Sequence, residues 1–180
     1  FDQRSVFSLD DLGQRGQGWA EYAKGVTWAL QEAGFALGGW EGTLAGDVPL
    51  GAGLSSSAAL EMAVARTFMG AANLPWDGPA MARAGQRAEN AWVGVNSGIM
   101  DQMISACGAA GHALLIDCRS LLTELVPLPP ATTVVILDTA TRRGLVGSAY
   151  NDRRAQCEAA ARHFGAPALR DVTQEQFQAR

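Results

Sequence analysis

Apolar residues recur at every third or fourth position along several parts of the chain, which is the spacing of an amphipathic helix. Residues 19–33 follow this pattern, and Gly34 stands where such a helix would end. Residues 55–72 follow it as well, with one apolar face formed by Ala58, Met62, Ala65, Met69 and Ala72. The pattern therefore predicts two helices in this part of the chain.

A third helix is predicted to begin at Gly78, just after Asp77, and to run to about Val93. Arg83 and Arg87 lie on its polar side, and its apolar face comprises Met81, Ala84, Gly85, Ala88, Ala91 and Trp92. Glu89 lies at the edge of that face, so its carboxylate is expected to point partly inward.

A shorter helix is predicted over residues 99–107, after a glycine-containing break. Asp101 lies in its first turn between the apolar Met100 and Met103. We therefore expect a second half-buried carboxylate here, with these two methionines limiting its contact with water.

Residues 42–48 read as a short strand that leads into a Gly/Ser turn, and segments rich in Leu, Ile and Val predict strands over residues 111–118 and 132–139. Further helical patterns occupy residues 147–164 and 174–180. No internal repeat, low-complexity tract or linker divides the sequence. We predict one α+β unit over residues 1–180, without an assignable internal boundary.

The composition limits the classes of function. Of the 180 residues, 48% are hydrophobic and 18% are charged, enough apolar mass for a real core. The net charge is −4 and the basic residues are scattered, which argues against nucleic-acid binding. Charges such as Glu61 and Arg66 interrupt the apolar runs, so no membrane span and no membrane partner are predicted.

The cysteines and histidines give no sign of a disulfide framework or a metal site. Cys107, Cys118 and Cys157 are odd in number and widely spaced, which fits a reducing cytoplasm. His112 and His163 are isolated, so a His-based metal site or a Ser-His-Asp triad is not expected. Because the sequence begins without Met and stops within a helical pattern, we expect it to be part of a longer protein.

Residues 49–59, here called the Gly/Ser segment, read Pro-Leu-Gly-Ala-Gly-Leu-Ser-Ser-Ser-Ala-Ala. Gly51 and Gly53 can adopt positive φ, while the serine hydroxyls and the N–H groups at the following helix start can bind an anion such as a nucleotide phosphate. The segment lacks the lysine of a P-loop and has Ser56 where a dinucleotide fingerprint needs glycine or alanine. The glycines alone are equally consistent with an ordinary connection before a helix.

Together with this segment, the two carboxylates have the chemistry that phosphoryl transfer with Mg²⁺ requires. Ser57 and Glu89 could supply a hydroxyl and a carboxylate to the cation, which leaves Asp101 to act as a base. Each acid also has a structural interpretation. A helix dipole favours an Asp in a first turn, and a Glu at an apolar edge often pairs with a nearby Arg.

Three segments in the same order resemble the galactokinases of the GHMP kinase family. They are the stretch from Pro49 to Glu61, then Gly-Ile-Met-Asp-Gln at 98–102, and Ser-Ala-Tyr-Asn-Asp-Arg-Arg-Ala-Gln-Cys-Glu at 148–158. Residues 112–121 are similar to the strand that follows the catalytic helix in that family. The resemblance therefore covers essentially the whole chain and corresponds to roughly the middle half of a galactokinase.

The resemblance implies an α+β GHMP kinase fold, with part of an N-terminal domain like ribosomal protein S5 domain 2 running into the start of the C-terminal domain. It implies Mg²⁺ ligation by Ser57 and Glu89, and a general base at Asp101. The sugar would contact Gly98, Asp101 and Tyr150. The ATP phosphates would contact Gly51, Ala52, Gly53, Leu54, Ser55, Ser56 and Ser57.

The implied reaction is the ATP-dependent phosphorylation of the anomeric hydroxyl of α-D-galactose to galactose 1-phosphate. Two parts of the family pattern have no counterpart in these residues: an early Gly-Glu-His-Thr-Asp-Tyr segment preceded by Arg, and a C-terminal glycine-rich motif. The chain alone is therefore expected to be inactive. Another GHMP sugar kinase (for N-acetylgalactosamine or arabinose), a non-catalytic sensor of sugar and ATP, and a remnant without function remain as alternatives, and the oligomeric state is open.

Overall fold

A computed structural model describes residues 3–137 and 149–179, and only the backbone of Ala149 and Tyr150. The first part is mainly helical, and its helices are α1 (Ala20–Glu32), α2 (Ser56–Ala71), α3 (Gly78–Arg87), a π-helix (Ala88–Val93) and α4 (Met100–Cys107). There follow β1 (His112–Ile116), β2 (Thr123–Pro127), α5 (Ala149–His163), a 3₁₀ turn (Leu169–Asp171) and α6 (Gln174–Gln178). The predicted helices are confirmed, and the ends that lie in the described residues differ from the prediction by at most two residues; residues 147, 148 and 180 lie outside the described part.

The core lies between α1, α2, α3 and the π-helix; α1 packs against the other three, and α3 packs against both α2 and the π-helix. Its largest buried apolar side chains include Leu30 of α1, Phe68 and Met69 of α2, and Met81 of α3. Burying a side chain of this size stabilises the fold by roughly 1.5–3 kcal/mol. These residues follow the helical spacing of the sequence, so periodicity alone locates the core.

The π-helix continues α3 and changes which residues face the core. Ala88 and Glu89 are buried, but Ala91 is exposed, so its predicted place on the apolar face is wrong. A π-helix has more residues per turn than an α-helix, so its later side chains rotate away from the face predicted from α-helical spacing. Trp92 instead packs beside α1, where its Nε1 donates a hydrogen bond to Glu21 Oε2 at 2.9 Å.

The described residues form a single two-stranded sheet. In it β1 and β2 are antiparallel, with His112 opposite Pro127 and Ile116 opposite Thr123. Strand β1 agrees with the prediction, and it packs Leu114 and Ile116 against Ile99 and Met103. Strand β2 was not predicted.

Two predicted strands are wrong as far as the described residues reach. Residues 42–48 and 132–137 are irregular, and residues 138 and 139 lie outside the described range. A strand needs a neighbouring strand for its backbone hydrogen bonds, and neither segment has one here. Residues 134–137 remain exposed to an unusual degree, between 62% and 85%.

The segment after α5 contacts the turn of the hairpin through two ion pairs. Arg119 binds Asp171 with two hydrogen bonds of 2.7 and 2.8 Å, and Arg170 lies 2.9 Å from Asp117. These pairs are exposed, so they contribute little stability. None of the helices in the described ranges has the length and apolar content that a bilayer span requires.

Candidate functional site

The Gly/Ser segment has the backbone conformation that its glycines predict. Gly51 and Gly53 adopt φ values of 66° and 77°, and Ser55 is also left-handed at 58°. No atom lies within 4 Å of the position that a Cβ would take on Gly53. Glycine is therefore favoured here by the backbone conformation and not by crowding from the rest of the chain.

The Gly/Ser segment ends at the amino terminus of α2, where backbone donors are available. Ser55 makes no side-chain capping bond, and the first backbone N–H with a helical partner is that of Ala59, bonded to Ser55 O at 3.0 Å. The N–H groups of Ser56, Ser57 and Ala58 have no partner among the described residues. They begin a helix of sixteen residues, so the helix dipole and the free donors favour an anion at this end.

A buried polar network connects three elements next to this terminus. Glu61 of α2 and Gln102 of α4 are 0% exposed, and Glu89 of the π-helix is 4% exposed. Gln102 Nε2 donates to Glu61 Oε2 at 3.0 Å and to Glu89 Oε2 at 2.9 Å. The amide nitrogen of Gln102 therefore donates to both carboxyl groups at once.

Burial sets the protonation state of the deepest carboxyl group. Desolvation, and then the negative charges of Glu89 and Asp101, raise the pKa of Glu61 to about 9. Glu61 is therefore neutral at pH 7. Burial, and then the charges that Glu89 and Glu61 carry at the high pH where a tyrosine ionises, raise the pKa of Tyr22 on α1 to about 12.

The residues predicted to bind Mg²⁺ or to act as a base lie around this network. Ser57 precedes Glu61 by one helical turn and so lies on the same face of α2. Glu89 is more deeply buried than its position at the edge of the apolar arc predicts. Asp101 directly precedes Gln102, is half-buried as predicted, and lies near enough to raise the pKa of Glu61.

The surroundings of Asp101 differ from the prediction on one side. Met103 is fully buried, as expected. Met100 is 59% exposed, so it is not part of an apolar surrounding on the other side. Asp101 itself is half-buried and directly precedes Gln102 of the polar network.

The loop over residues 94–98 joins the network to α5. Ser97 Oγ donates to Glu89 Oε2 at 2.5 Å, and Ser97 O accepts from Gln86 Nε2 at 3.2 Å. The N–H of Asn96 donates to Asn151 Oδ1 at 3.0 Å. This bond brings the first turn of α5, where the backbone of Tyr150 lies, next to the loop that contains the exposed Gly98. The side chain of Tyr150 lies outside the described part of the structure.

Sequence reasoning missed Glu61, Gln102 and Asn151 as members of this region. Glu61 had a visible signal, because it follows Ala58 by three positions and precedes Ala65 by four on the buried face of α2. A charged residue at a core position is rarely buried without a partner. Gln102 and Asn151 had no such signal, since their partners are distant in sequence.

The oxygen atoms of Glu89 and Ser57 suit a cation that also binds a phosphate. No group of three or more His, Cys, Asp or Glu side chains with metal-site geometry occurs in the described ranges. Mg²⁺ at a nucleotide commonly takes one or two protein ligands, with phosphate and water oxygens completing its octahedron. Glu89 Oε1 and Ser57 Oγ make no hydrogen bond with the described residues, so both oxygens fit that kind of site.

Comparison with known proteins agrees with this geometry. Residues 21–109, which extend from α1 to just beyond α4, match the family described as GHMP kinases N terminal domain. The chain contains a GHMP kinase N-terminal domain. This domain includes the Gly/Ser segment, the buried network and Asp101.

A solved structure is similar to most of the chain, including residues outside the GHMP domain. The crystal structure of Lactococcus lactis galactokinase complexed with galactose matches 93% of this chain with 31% identity and a TM-score of 0.75. The match covers 45% of the galactokinase, so the present chain spans less than half of that relative's length. The α+β GHMP fold and the galactokinase-like character expected from the sequence are confirmed.

Proposed function

We infer that the protein is an ATP- and Mg²⁺-dependent sugar kinase of the galactokinase type. It would transfer the γ-phosphoryl group of ATP to the anomeric hydroxyl of α-D-galactose, giving galactose 1-phosphate and ADP. One observation supports this most strongly. The free N–H groups of α2, the Glu89 carboxylate and Asp101 surround one hydrogen-bonded network, although they come from three different helices.

The phosphates of ATP would bind at the Gly/Ser segment. Gly51 and Gly53 adopt positive φ in the turn before α2, whose first N–H groups are unpaired as at any helix start. These donors and the positive end of the helix dipole stabilise negative charge without requiring a lysine. Residues 51–57 would supply this phosphate site.

Ser57 Oγ and Glu89 Oε1 would hold Mg²⁺ beside the phosphates. When bound, the cation neutralises charge that develops on the phosphate oxygens during transfer. Glu89 is suited to this because one of its oxygens is fixed by hydrogen bonds and the other accepts none from the described residues. Ser57 is suited because its hydroxyl has no partner in the same ranges.

Asp101 would accept the proton of the anomeric hydroxyl as that oxygen attacks the γ-phosphorus. It is half-buried at the amino-terminal turn of α4, where the helix dipole favours the carboxylate form. Gly98 lies in the preceding loop with no atom near its Cβ position, which leaves room for a sugar. Tyr150 would contact the sugar from α5. Galactose is proposed because the solved relative is a galactokinase complexed with galactose.

The test is Asp101→Asn in the protein made from its complete coding sequence. Asn has nearly the same shape, so ATP affinity and melting temperature should stay close to wild type. The value of kcat should fall by roughly 10²–10⁴, the usual contribution of a positioned general base. Asp77→Asn is the matched control, because Asp77 caps α3 through the N–H of Ala80 and Asn caps equally well.

Two results would count against this assignment. Loss of stability in Asp101→Asn would make Asp101 a structural residue of the helix start, and a kcat within about tenfold of wild type would assign the base elsewhere.

Assays with N-acetylgalactosamine and arabinose in place of galactose would identify the sugar. The single partial domain and the cytoplasmic location stay predictions.

A further inference from the structure

The two oxygens of Glu89 have different surroundings. Oε2 accepts hydrogen bonds from Ser97 Oγ and from Gln102 Nε2, which belong to a loop and to α4. Two donors from different elements fix both the position and the plane of the carboxylate. Oε1 receives no hydrogen bond from the described residues, so it is the oxygen that is left for a ligand.

Gln102 is itself held in place from the other side. Its Nε2 also donates to Glu61 Oε2, and its Cγ lies 3.1 Å from the position of a Cβ built on Gly85 of α3. Packing on one side and a hydrogen bond on the other therefore leave the Gln102 side chain little freedom. Glu61 comes from α2, the helix that begins at the Gly/Ser segment. The network thus ties the carboxylate of Glu89 to the phosphate end of the site.

Stability does not account for this network. Glu61 Oε1 and Gln102 Oε1 are buried without a hydrogen-bond partner among the described residues. An unsatisfied buried polar group costs about 1–3 kcal/mol, and apolar residues of similar volume at both positions would avoid this. Polar residues at these two core positions therefore need a reason other than packing.

We propose that Gln102, held by Glu61, is a positioning residue that fixes the Glu89 carboxylate for the divalent cation. The inference rests on the proposed function, because it takes Glu89 as a cation ligand. Neither Gln102 nor Glu61 would touch the cation, ATP or the sugar. Residues behind a metal ligand typically change metal affinity or activity by 10–100-fold when they are replaced.

The direct test is Gln102→Met, which keeps the length of the side chain and removes the donor. Mn²⁺ binding in the presence of ATP is measured by electron paramagnetic resonance, without sugar, on the protein made from its complete coding sequence. We expect the Mn²⁺ dissociation constant to rise by about 10–100-fold, with ATP affinity in the absence of metal unchanged. A folded variant with Mn²⁺ affinity within about threefold of wild type would overturn the proposal.

A second pair of variants decides the question if Gln102→Met does not fold. Glu61→Gln keeps a neutral acceptor for the Gln102 amide and should bind Mn²⁺ as wild type does. Glu61→Met removes that acceptor and should weaken Mn²⁺ binding. Equal Mn²⁺ affinity in these two variants would also overturn the proposal, as would a loss of kcat with no change in cation half-saturation.

Glu89→Ala separates this inference from the proposed function. If Glu89→Ala weakens Mn²⁺ binding and Gln102→Met does not, only the positioning role is wrong. If Glu89→Ala itself leaves Mn²⁺ binding unchanged, Glu89 is not a cation ligand, and the proposed cation site and the positioning role are both wrong.

Discussion

Replacing Gly85 by Ala tests how tightly α3 packs against the buried polar network. A Cβ on Gly85 would lie 2.6 Å from Met62 Cε, 3.1 Å from Gln102 Cγ and 3.2 Å from Glu61 Oε2. Gly70 of α2 is the matched control, because it is also helical, is exposed, and has no atom within 4 Å of its Cβ position.

Both substitutions improve helix propensity, but only Gly85→Ala adds a methyl group where other atoms already lie. Ala is preferred to Gly in a helix by up to about 1 kcal/mol, so Gly70→Ala should stabilise the protein by up to that amount. At Gly85 the end of the Met62 side chain can move away at little cost. Gln102 and Glu61 cannot move freely, because they are hydrogen-bonded to each other at 3.0 Å. Overpacking of this kind costs typically 1–3 kcal/mol, so Gly85→Ala should be net destabilising.

Urea unfolding of wild type and both variants measures this difference. With equal m-values, the free energy of unfolding of Gly85→Ala should lie about 1–3 kcal/mol below that of Gly70→Ala, because the shared helix propensity cancels. If Gly85→Ala proved as stable as Gly70→Ala, α3 would have room beside Glu61 and Gln102, and the description of Gln102 as tightly held would be refuted.

Three further predictions concern the phosphate site, the buried carboxyl group and the extent of the chain. Gly53→Val should lower the affinity for ATP measured by calorimetry, because Gly53 has a φ of 77° that valine rarely adopts. The control Gly46→Val should leave that affinity unchanged. Equal ATP affinities in the two variants would contradict the phosphate site. The pKa of Glu61 is about 9 when folded against 4.5 ordinarily, so the unfolded chain loses a proton that the folded protein keeps between these values. Wild-type stability should therefore fall as pH rises through this range, by up to about 1.4 kcal/mol per pH unit, and Glu61→Gln should flatten that slope in urea titrations at pH 5 and pH 8. These 180 residues alone should not phosphorylate galactose at a useful rate, and robust turnover would disprove this. They should also aggregate through the exposed residues 134–137, which light scattering would detect.

The parts of the fold that depend on local interactions followed from the sequence. Helical spacing located α1 to α4 because each turn brings residues three and four positions apart onto one face. The positive φ of Gly51 and Gly53 is likewise a property of the residue type. Glu89 and Asp101 could be named because each is a carboxylate near an apolar helix face, but their mutual placement could not be derived from spacing.

Only the tertiary structure decided the strands and the buried network. Residues 42–48 were predicted as a strand yet form none here, because a strand depends on a partner that its own sequence does not supply. In the same way Glu61 and Gln102 are 41 positions apart, and their hydrogen bond exists because α2 and α4 pack side by side. The sequence by itself therefore determined the helices, the glycine turn and the chemical class of the site. The packing of helices that are distant in sequence decided which carboxyl group is buried and neutral, and which one is held by donors from two other elements.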